Sequence, residues 1–204
     1  MHLSAKRVYF SKYVFDVWEN VYEPAEDSFL FAENLNVQEA ETVLDLGTGC
    51  GILGILAAEK ASSVVSVDVN PYAIRCAKEN AELNDVRNKI YYVQGDLFTA
   101  LSESFKVDLV LFNAPYLPAD EDEMESWIGR AWAGGATGRQ VIDRFIVEAP
   151  NYLKQKGRIF LMQSTLAGVD ETLRKFATYG MSGRVVAECS LQFFETIKLI
   201  EAKI

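Results

Sequence analysis

The sequence holds very few of the residues on which most catalytic and metal sites depend. Its 204 residues include one histidine, His2, and three cysteines, Cys50, Cys76 and Cys189. A lone histidine beside the N-terminus excludes Ser-His-Asp and Cys-His catalysis and leaves no plausible set of zinc ligands. Scattered cysteines in odd number do not form a disulfide framework and fit a reducing cytosol best. We therefore expect no metal site and a chemistry that works without imidazole.

Long apolar runs and clustered positive charge are also scarce. No run reaches the roughly 18 residues of a membrane-spanning helix, and the first seven residues lack the apolar core of a signal peptide. The formal net charge is −9, whereas duplex DNA is usually held by a basic face. We expect no membrane contact and no extended nucleic-acid binding, although a local basic patch stays open.

The chain has enough apolar residues for one well-buried domain. Half of its residues are hydrophobic, and no repeat or linker interrupts them. This favours a single domain over residues 1–204. Residues 1–20 are aromatic without a clean period, and we assign them as an N-terminal lead-in.

The most informative stretch is residues 43–51, Val-Leu-Asp-Leu-Gly-Thr-Gly-Cys-Gly. An apolar run, three alternating glycines and a helical pattern predict the first strand, turn and helix of a nucleotide-binding α/β sheet. The glycines are Gly47, Gly49 and Gly51. Asp45, in the strand end, would repel a diphosphate but suits the sulfonium and ammonium groups of S-adenosylmethionine. The Gly-x-Gly-x-x-Gly pattern from Gly49 to Gly54 starts two residues late for a dinucleotide, which leaves a NAD-type or non-nucleotide turn as the alternative.

Polar residues also end the next predicted strands, over residues 64–68, 89–94 and 107–112. Asp68 lies about 20 residues beyond the glycines, where a carboxylate can accept both ribose hydroxyls. Asp96, followed by Leu97, could accept the adenine amine. Alternatively, each acid merely caps a helix. Because ligands bind at the carboxyl ends of parallel strands, these acids should meet Asp45 and Asn113 at one edge.

Alternating helical and strand patterns complete the predicted fold. We expect helices over about 24–35, 70–83, 139–153 and 169–179, and strands over 158–162, 185–188 and 193–200. Residues 117–138 are predicted as an irregular loop with an acidic stretch at 120–125. This order predicts a Rossmann-like α/β domain, a mostly parallel seven-stranded sheet with a C-terminal antiparallel hairpin. In the first helix, spacing alone favours Asp27 and Ser28 as a helix start over cofactor contacts.

The stretch Asn113-Ala114-Pro115-Tyr116 resembles the Asn-Pro-Pro-Tyr motif of class I methyltransferases that act on planar nitrogens. The resemblance implies that the Asn113 side-chain carbonyl and the Ala114 backbone carbonyl accept the two N–H bonds of the substrate. The nitrogen lone pair then turns toward the methyl group without a strong base. Tyr116 would lie against the flat substrate group. Ala114 departs from the motif and loses the fixed φ of proline; alone, the four residues could be a simple turn.

Two further segments resemble the HemK-related methyltransferases of archaea and eukaryotes, which modify the glutamine of the Gly-Gly-Gln loop in class 1 translation release factors. They are residues 21–30, Val-Tyr-Glu-Pro-Ala-Glu-Asp-Ser-Phe-Leu, and residues 131–145, from Ala-Trp-Ala-Gly-Gly to Asp-Arg-Phe. The resemblance implies that Asp27 and Ser28 contact the cofactor, which reverses the preference from spacing. Asn113, at its strand end, is also predicted to contact the cofactor. It also implies a small zinc-binding activator subunit. The apolar strand 89–94 is a predicted sheet edge that such a partner could extend.

The predicted activity is methylation of a release-factor glutamine at N5, with S-adenosylmethionine, in the cytoplasm. Alternatives are an adenine-N6 methyltransferase on DNA or RNA, a protein-lysine or small-molecule methyltransferase, and a non-catalytic subunit. The negative charge weighs against nucleic acid, and the intact polar residues weigh against a scaffold. The acidic stretch 120–125 could steer a basic substrate or be a solvated loop.

Overall fold

The computed structural model describes residues 5–191 and 195–204. The chain divides into two compact units, one ending at Ala100 and one beginning at Leu101, and each is described in turn.

The first unit opens with a β-hairpin of β1 (Ala5–Phe10) and β2 (Tyr13–Trp18), which pair antiparallel as a separate two-stranded sheet. Residues 1–20 were predicted as a lead-in without a clean period, and this prediction is corrected because residues 5–18 form a hairpin. Tyr13, Phe15 and Val17 are buried and the residues between them are not. This period of two marks a half-buried strand, and aromatic residues in both strands obscured it.

Three parallel strands and three helices form the rest of the first unit. They are α1 (Glu26–Glu33), β3 (Thr42–Leu46), α2 (Ile52–Ala57), β4 (Ser63–Asp68), α3 (Pro71–Leu83) and β5 (Ile90–Gln94). β4 pairs in parallel with both β3 and β5. All of these elements lie close to their predicted positions.

The edge of β2 is completed by a helix rather than by another strand. The Asn80 side chain of α3 accepts a bond from Asp16 N at 2.8 Å and donates to Asp16 O at 3.0 Å. Asn84 makes the same pair of bonds with the backbone of Val14, at 3.0 and 2.7 Å. The two amides therefore fasten the hairpin to the unit.

The second unit contains β6 (Val107–Asn113), α4 (Trp127–Trp132), α5 (Gln140–Glu148), β7 (Leu153–Ser164), α6 (Val169–Thr178), β8 (Ser182–Ser190) and β9 (Thr196–Lys203). β6 and β7 are parallel, whereas β9 is antiparallel to both β7 and β8. The order of the seven strands is β5-β4-β3-β6-β7-β9-β8. The predicted mostly parallel sheet with a C-terminal antiparallel pair is confirmed, as is the edge position of β5.

Several predicted boundaries in the second unit are corrected. The helix expected over 139–153 ends at Glu148 and continues as a 3-10 turn, because Pro150 has no N–H to donate and its ring clashes with the preceding turn. β7 begins at Leu153 rather than at 158. The stretch 117–138 is not wholly irregular, since it holds the 3-10 helix Glu121–Met124 and α4. Residues 193 and 194 of the predicted last strand lie outside the described residues.

Within the described ranges, the helices are all too short or too polar to traverse a bilayer.

Candidate active site

The turn after β3 has a backbone that only glycine adopts without strain. Gly47, Gly49 and Gly51 have φ values of 63°, 56° and 91°, in the left-handed region where a Cβ is unfavourable. Thr48 N donates to Val67 O at 3.1 Å, which fixes the turn against β4. The three predicted cofactor glycines therefore shape one rigid turn.

Asp45 lies directly beneath this turn. Its side chain is 1% exposed, and Oδ2 accepts bonds from Thr48 Oγ1 at 2.5 Å and Gly54 N at 3.1 Å. Oδ1 is also buried and accepts no bond from the described residues. Burial, with the nearby Asp68 charge as a smaller contribution, raises the pKa of Asp45 to about 7. A buried acid in this state responds strongly to a nearby cation.

Gly54 is a site residue that the sequence interpretation set aside. A Cβ at this position would lie 2.7 Å from Asp45 Oδ2 and 2.8 Å from Ser66 Oγ. Glycine therefore allows α2 to pack closely on the strands and to bond Asp45 through its backbone N–H. The signal was present in Gly-x-Gly-x-x-Gly, whose third glycine serves this packing.

Asp68 ends β4 and joins two segments through its carboxylate. Oδ2 accepts from Gly49 N and Oδ1 from Asn70 N, both at 2.9 Å. The alternative that Asp68 caps the next helix is wrong, because Asn70 caps α3 by accepting from Tyr72 N. The backbone N–H of Val69 also bonds this carboxylate. An ionised carboxylate offers about four acceptor sites, so capacity for a further donor remains. Burial raises the pKa of Asp68 as well.

Asp96 and Leu97 follow β5. Gly95 N donates to Asp68 O at 3.0 Å, which brings this segment beside the end of β4. Leu97 is buried with a φ of 49°, a left-handed conformation that is costly for leucine and is concentrated at functional sites. Asp96 is exposed, and residues 95–100 form turns rather than a helix for it to cap. No helix for Asp96 to cap lies within residues 95–100, and its contact with adenine stays a prediction.

Asp27 and Ser28 lie in the first turn of α1, where both are buried. Asp27 Oδ1 accepts from Ser28 N at 2.6 Å and from the Tyr22 hydroxyl at 3.3 Å. An acid that only complements a helix dipole is normally solvated. Asp27 is thus buried in a hydrogen-bonded group with Ser28 and Tyr22, and its contact with the cofactor stays a prediction.

In the second unit, the four-residue motif begins at the end of β6. Asn113 lies opposite Met162 of β7 in the parallel register. Ala114 and Tyr116 are buried, and Asn113 and Pro115 are half-buried. A Cβ at Gly138, whose φ is 71°, would lie 2.2 Å from the Tyr116 carbonyl oxygen, so this glycine allows a second loop to touch the motif.

That second loop is tied to the chain just beyond the motif. Leu117 N donates to Trp132 O at 3.0 Å, and Gly134 N donates to Leu117 O at 2.8 Å. Ala119 N donates to Gly135 O at 3.1 Å. Part of segment 131–145, which resembles HemK-related enzymes, is therefore hydrogen-bonded to the residues that follow the motif.

Arg139, within this segment, is a buried residue whose guanidinium bonds several groups. It donates to the carbonyl oxygens of Ala167 and Gly168 and to Thr172 Oγ1, and it pairs with Asp143 at 2.7 Å. It thereby holds the start of α5 against the turn that precedes α6.

The acidic stretch 120–125 borders a pocket of about 430 Å³. Asp120 and Glu121 line it from one side, and Gly135 and Gln140 line it from the other. Glu123 Oε2 accepts from Asp120 N at 3.0 Å. The stretch is thus ordered as a 3-10 helix, while its carboxylates remain exposed for the most part.

A mostly parallel sheet of this strand order, with a glycine turn over a buried acid, defines a class I methyltransferase of Rossmann-like fold. Residues 22–129 match the model of the methyltransferase small domain family, and the chain belongs to that family.

Known proteins similar to the chain agree on the activity. Human Methyltransferase HEMK2 is 35% identical over 177 residues, which are 81% of this chain and 82% of that protein. MJ0928 of Methanocaldococcus jannaschii, whose name provisionally assigns it protein N5-glutamine methyltransferase activity, is 45% identical over 86% of this chain and 88% of its own length. The chain is an S-adenosylmethionine-dependent N-methyltransferase, and the predicted HemK-related membership, fold and cofactor are confirmed.

A solved structure extends the similarity to an assembly. The Mtq2-Trm112 complex of E. cuniculi, described as responsible for methylation of the eRF1 translation termination factor, superposes with a TM-score of 0.69. The identity is 27%, and the match covers 90% of this chain and 98% of that chain.

Proposed function

We propose that the chain methylates the side-chain amide nitrogen of a glutamine in a class 1 translation release factor. The observation that carries the proposal is Asn113-Ala114-Pro115-Tyr116 at the end of a buried strand, in a chain that is 45% identical over most of its length to a protein named for N5-glutamine methylation. The similarity to the E. cuniculi complex, which acts on eRF1, supports the same substrate class. A translation factor as substrate places the enzyme in the cytoplasm.

Residues of the first unit fit S-adenosylmethionine, which supplies the methyl group from its sulfonium. The turn of Gly47, Gly49 and Gly51 gives the cofactor close access to backbone. We assign the remaining acceptor capacity of Asp68 to the ribose, and Asp45 has a buried, unsatisfied Oδ1 whose negative charge a cationic ligand stabilises. We assign Asp96 and Leu97 to the adenine end, and Asp27 and Ser28 to the methionine end.

The substrate chemistry is assigned to the second unit. An amide nitrogen is a weak nucleophile because its lone pair is conjugated with the carbonyl. Asn113 Oδ1 and the Ala114 carbonyl oxygen accept its two N–H bonds and aim the lone pair at the methyl group, while Tyr116 packs on the amide plane. The nitrogen gains a methyl group and releases one proton to solvent. This is catalysis by orientation and preorganised dipoles, and Asn113 also borders the cofactor.

The assignment requires the two units to act together as the single domain that the sequence predicts over residues 1–204. We place a small activator subunit, which binds zinc in the predicted assembly, along the exposed edge of β5. Tyr91 is 62% exposed on that strand, and β5 is the first strand of the sheet. An apolar edge strand favours pairing with another chain.

The test is methyl transfer from labelled S-adenosylmethionine, with and without a Trm112-type subunit. The acceptors are a class 1 release factor, the same factor with its Gly-Gly-Gln glutamine changed to asparagine, and duplex DNA. We expect label on the unmodified factor alone. Label on DNA, or equal label on the asparagine variant, would overturn the proposal.

A further inference from the structure

Gln163 carries a buried amide that the fold leaves unsatisfied. It lies next to the last residue of β7 and is 0% exposed. Its Oε1 accepts no hydrogen bond from any residue of the described ranges. Its Nε2 donates to Ser164 O at 3.5 Å, at the outer limit of a hydrogen bond. Nearly all buried polar side-chain atoms in proteins have a partner, so this oxygen needs an explanation.

The orientation of the amide shows which kind of partner would satisfy it. The Ser164 carbonyl oxygen is an acceptor, so the end of the amide that faces it must be the NH₂ group. The opposite end is therefore Oε1. Turning the amide over would place two acceptors against each other. The group that completes this site is accordingly a hydrogen-bond donor.

Gln163 lies beside the methyl-transfer motif in the strand register. Asn113 of β6 pairs with Met162, so Gln163 is one residue, about 3.3 Å, nearer the carboxyl edge of the sheet. It shares a face with Leu161 and Phe112 because side chains alternate along a strand. Phe112 packs on Phe145 of α5, with ring centroids 4.8 Å apart. Gln163 is thus a polar residue at the upper end of an otherwise apolar layer.

A hydrophobic residue of the same size would serve this position better if its role were packing alone. Methionine or leucine fills a similar volume without leaving a buried acceptor unpaired. Local strand structure does not require the amide, since Ser164 itself supports the turn that follows by accepting from Leu166 N. The amide is therefore better explained by a donor that arrives with a ligand.

We propose that Gln163 is a substrate-binding residue whose Oε1 accepts a main-chain N–H of the peptide that carries the target glutamine. This inference rests on the proposed function, in which Asn113 and Ala114 take both N–H bonds of the target amide. The donors left to a Gly-Gly-Gln peptide are its main-chain N–H groups. A peptide that crosses the edge of the sheet between β6 and β7 lies beside Asn113 on one face. Because Gln163 Oε1 on the other face is enclosed, the chain above it must move for the peptide N–H to reach it.

The consequence for specificity follows from the burial of the acceptor. A site that holds a buried acceptor discriminates against a ligand without the matching donor, because the acceptor then stays unpaired. Gln163 would therefore select an extended main chain beside the target nitrogen. A free base or a small amide offers no such N–H.

The experiment combines an enzyme variant with a substrate variant. Gln163→Met is compared with Gln155→Met, an exposed position on the same strand. Release factor is assembled by peptide ligation with an ester replacing one main-chain N–H at a time around Gly-Gly-Gln. We expect Gln163→Met to melt at or above the wild-type temperature, to bind S-adenosylmethionine normally, and to show a KM for release factor raised roughly tenfold. Gln155→Met should match the wild type.

The decisive result is coupling between the two changes. At one position, the ester should raise KM for the wild-type enzyme but not for Gln163→Met, as in a double-mutant cycle. Additive effects at every position would overturn the inference, and so would an unchanged KM in Gln163→Met. If Gln163→Met does not fold, the ester series is measured on the wild type alone. The assignment is then refuted if none of the ester positions raises KM. A wild-type enzyme that leaves release factor unmethylated refutes the proposed function instead.

Discussion

The backbone N–H of Gly49 donates a hydrogen bond to Asp68 Oδ2 at 2.9 Å. The middle glycine of the turn after β3 is thereby held by the acid that ends β4. This carboxylate fixes the shape of the turn, and we propose that it also bonds the ribose, so the geometry of the turn and cofactor affinity should change together.

Asp68→Ala should weaken S-adenosylmethionine binding by about 1–3 kcal/mol, or about 5- to 150-fold, because hydrogen bonds to a charged group are lost. Isothermal titration calorimetry measures the effect. Glu79→Ala, which removes an exposed acid of α3, is the matched control and should bind normally. Equal affinities for Asp68→Ala and the control would show that Asp68 does not contact the cofactor.

Gly54→Ala should destabilise the protein by about 1–3 kcal/mol, the usual cost of overpacking. The new Cβ would meet Asp45 Oδ2 and Ser66 Oγ at under 3 Å. Thermal unfolding measures the loss. Gly54→Ala should cost less in a Ser66→Ala background, which lacks one of the two contacts, and Ser66→Ala alone is the reference because Ser66 also bonds Asp45. No loss in the single variant would mean that α2 shifts freely on the sheet.

Much of the first unit could be predicted because its signals are local. Apolar runs that end in glycines or acids mark β3, β4 and β5, and the order of elements then places Asp45, Asp68 and Asp96 at strand ends. The roles of Gly54 and Tyr22 could not be predicted from the sequence. Their importance depends on what a Cβ or hydroxyl meets in three dimensions, at Asp45 for one and at Asp27 for the other.

The second unit shows a different limit of sequence interpretation. The motif from Asn113 to Tyr116 was found by resemblance, whereas Gln163 carries no motif and reads as one polar residue in an apolar strand. The structure of 117–138 depends on bonds from Leu117 and Ala119 to residues more than ten positions away. Such pairings have no local period from which to predict them.

Asn113→Ala should abolish methyl transfer while leaving S-adenosylmethionine affinity within about twofold. In the proposed mechanism the carboxamide bonds the substrate amide and only borders the cofactor. Single-turnover assays and calorimetry on the same preparation separate the two effects. Asn151→Ala, at an exposed position, is the control for loss of an amide. Retention of full turnover by Asn113→Ala would rule out the orientation mechanism.

The chain alone should self-associate through β5, and an added Trm112-type subunit should replace this with a one-to-one complex. Tyr91→Lys should reduce both, because a lysine on an edge strand opposes pairing with another chain. Tyr179→Lys, which alters an exposed tyrosine outside the sheet, should change neither. Sedimentation velocity distinguishes the species. If the wild-type chain alone is monodisperse, and if Tyr91→Lys binds the subunit as tightly as the wild type does, the interface lies elsewhere.

The charge of Asp45 has opposite consequences for the empty and the loaded protein. Burial raises its pKa from 3.8 to about 7, so the folded, cofactor-free chain binds this proton more tightly than the unfolded chain does. That contribution to stability is complete below pH 4 and is lost as the pH rises through 7. A bound cation favours the ionised carboxylate, so cofactor affinity should instead rise over the same interval.

Asp45→Asn should separate these effects, because asparagine keeps an acceptor for Thr48 and Gly54 but does not titrate. Between pH 5 and pH 8, the melting temperature of the cofactor-free wild type should fall relative to that of the variant. Over the same range, S-adenosylmethionine affinity should rise for the wild type and stay lower and nearly flat for the variant. Thermal unfolding and calorimetry in buffers of different ionisation enthalpy measure both, the latter through the proton released on binding. Parallel pH profiles for wild type and variant would show that Asp45 does not ionise in response to the cofactor, and its role would then be limited to holding the turn through Thr48 and Gly54.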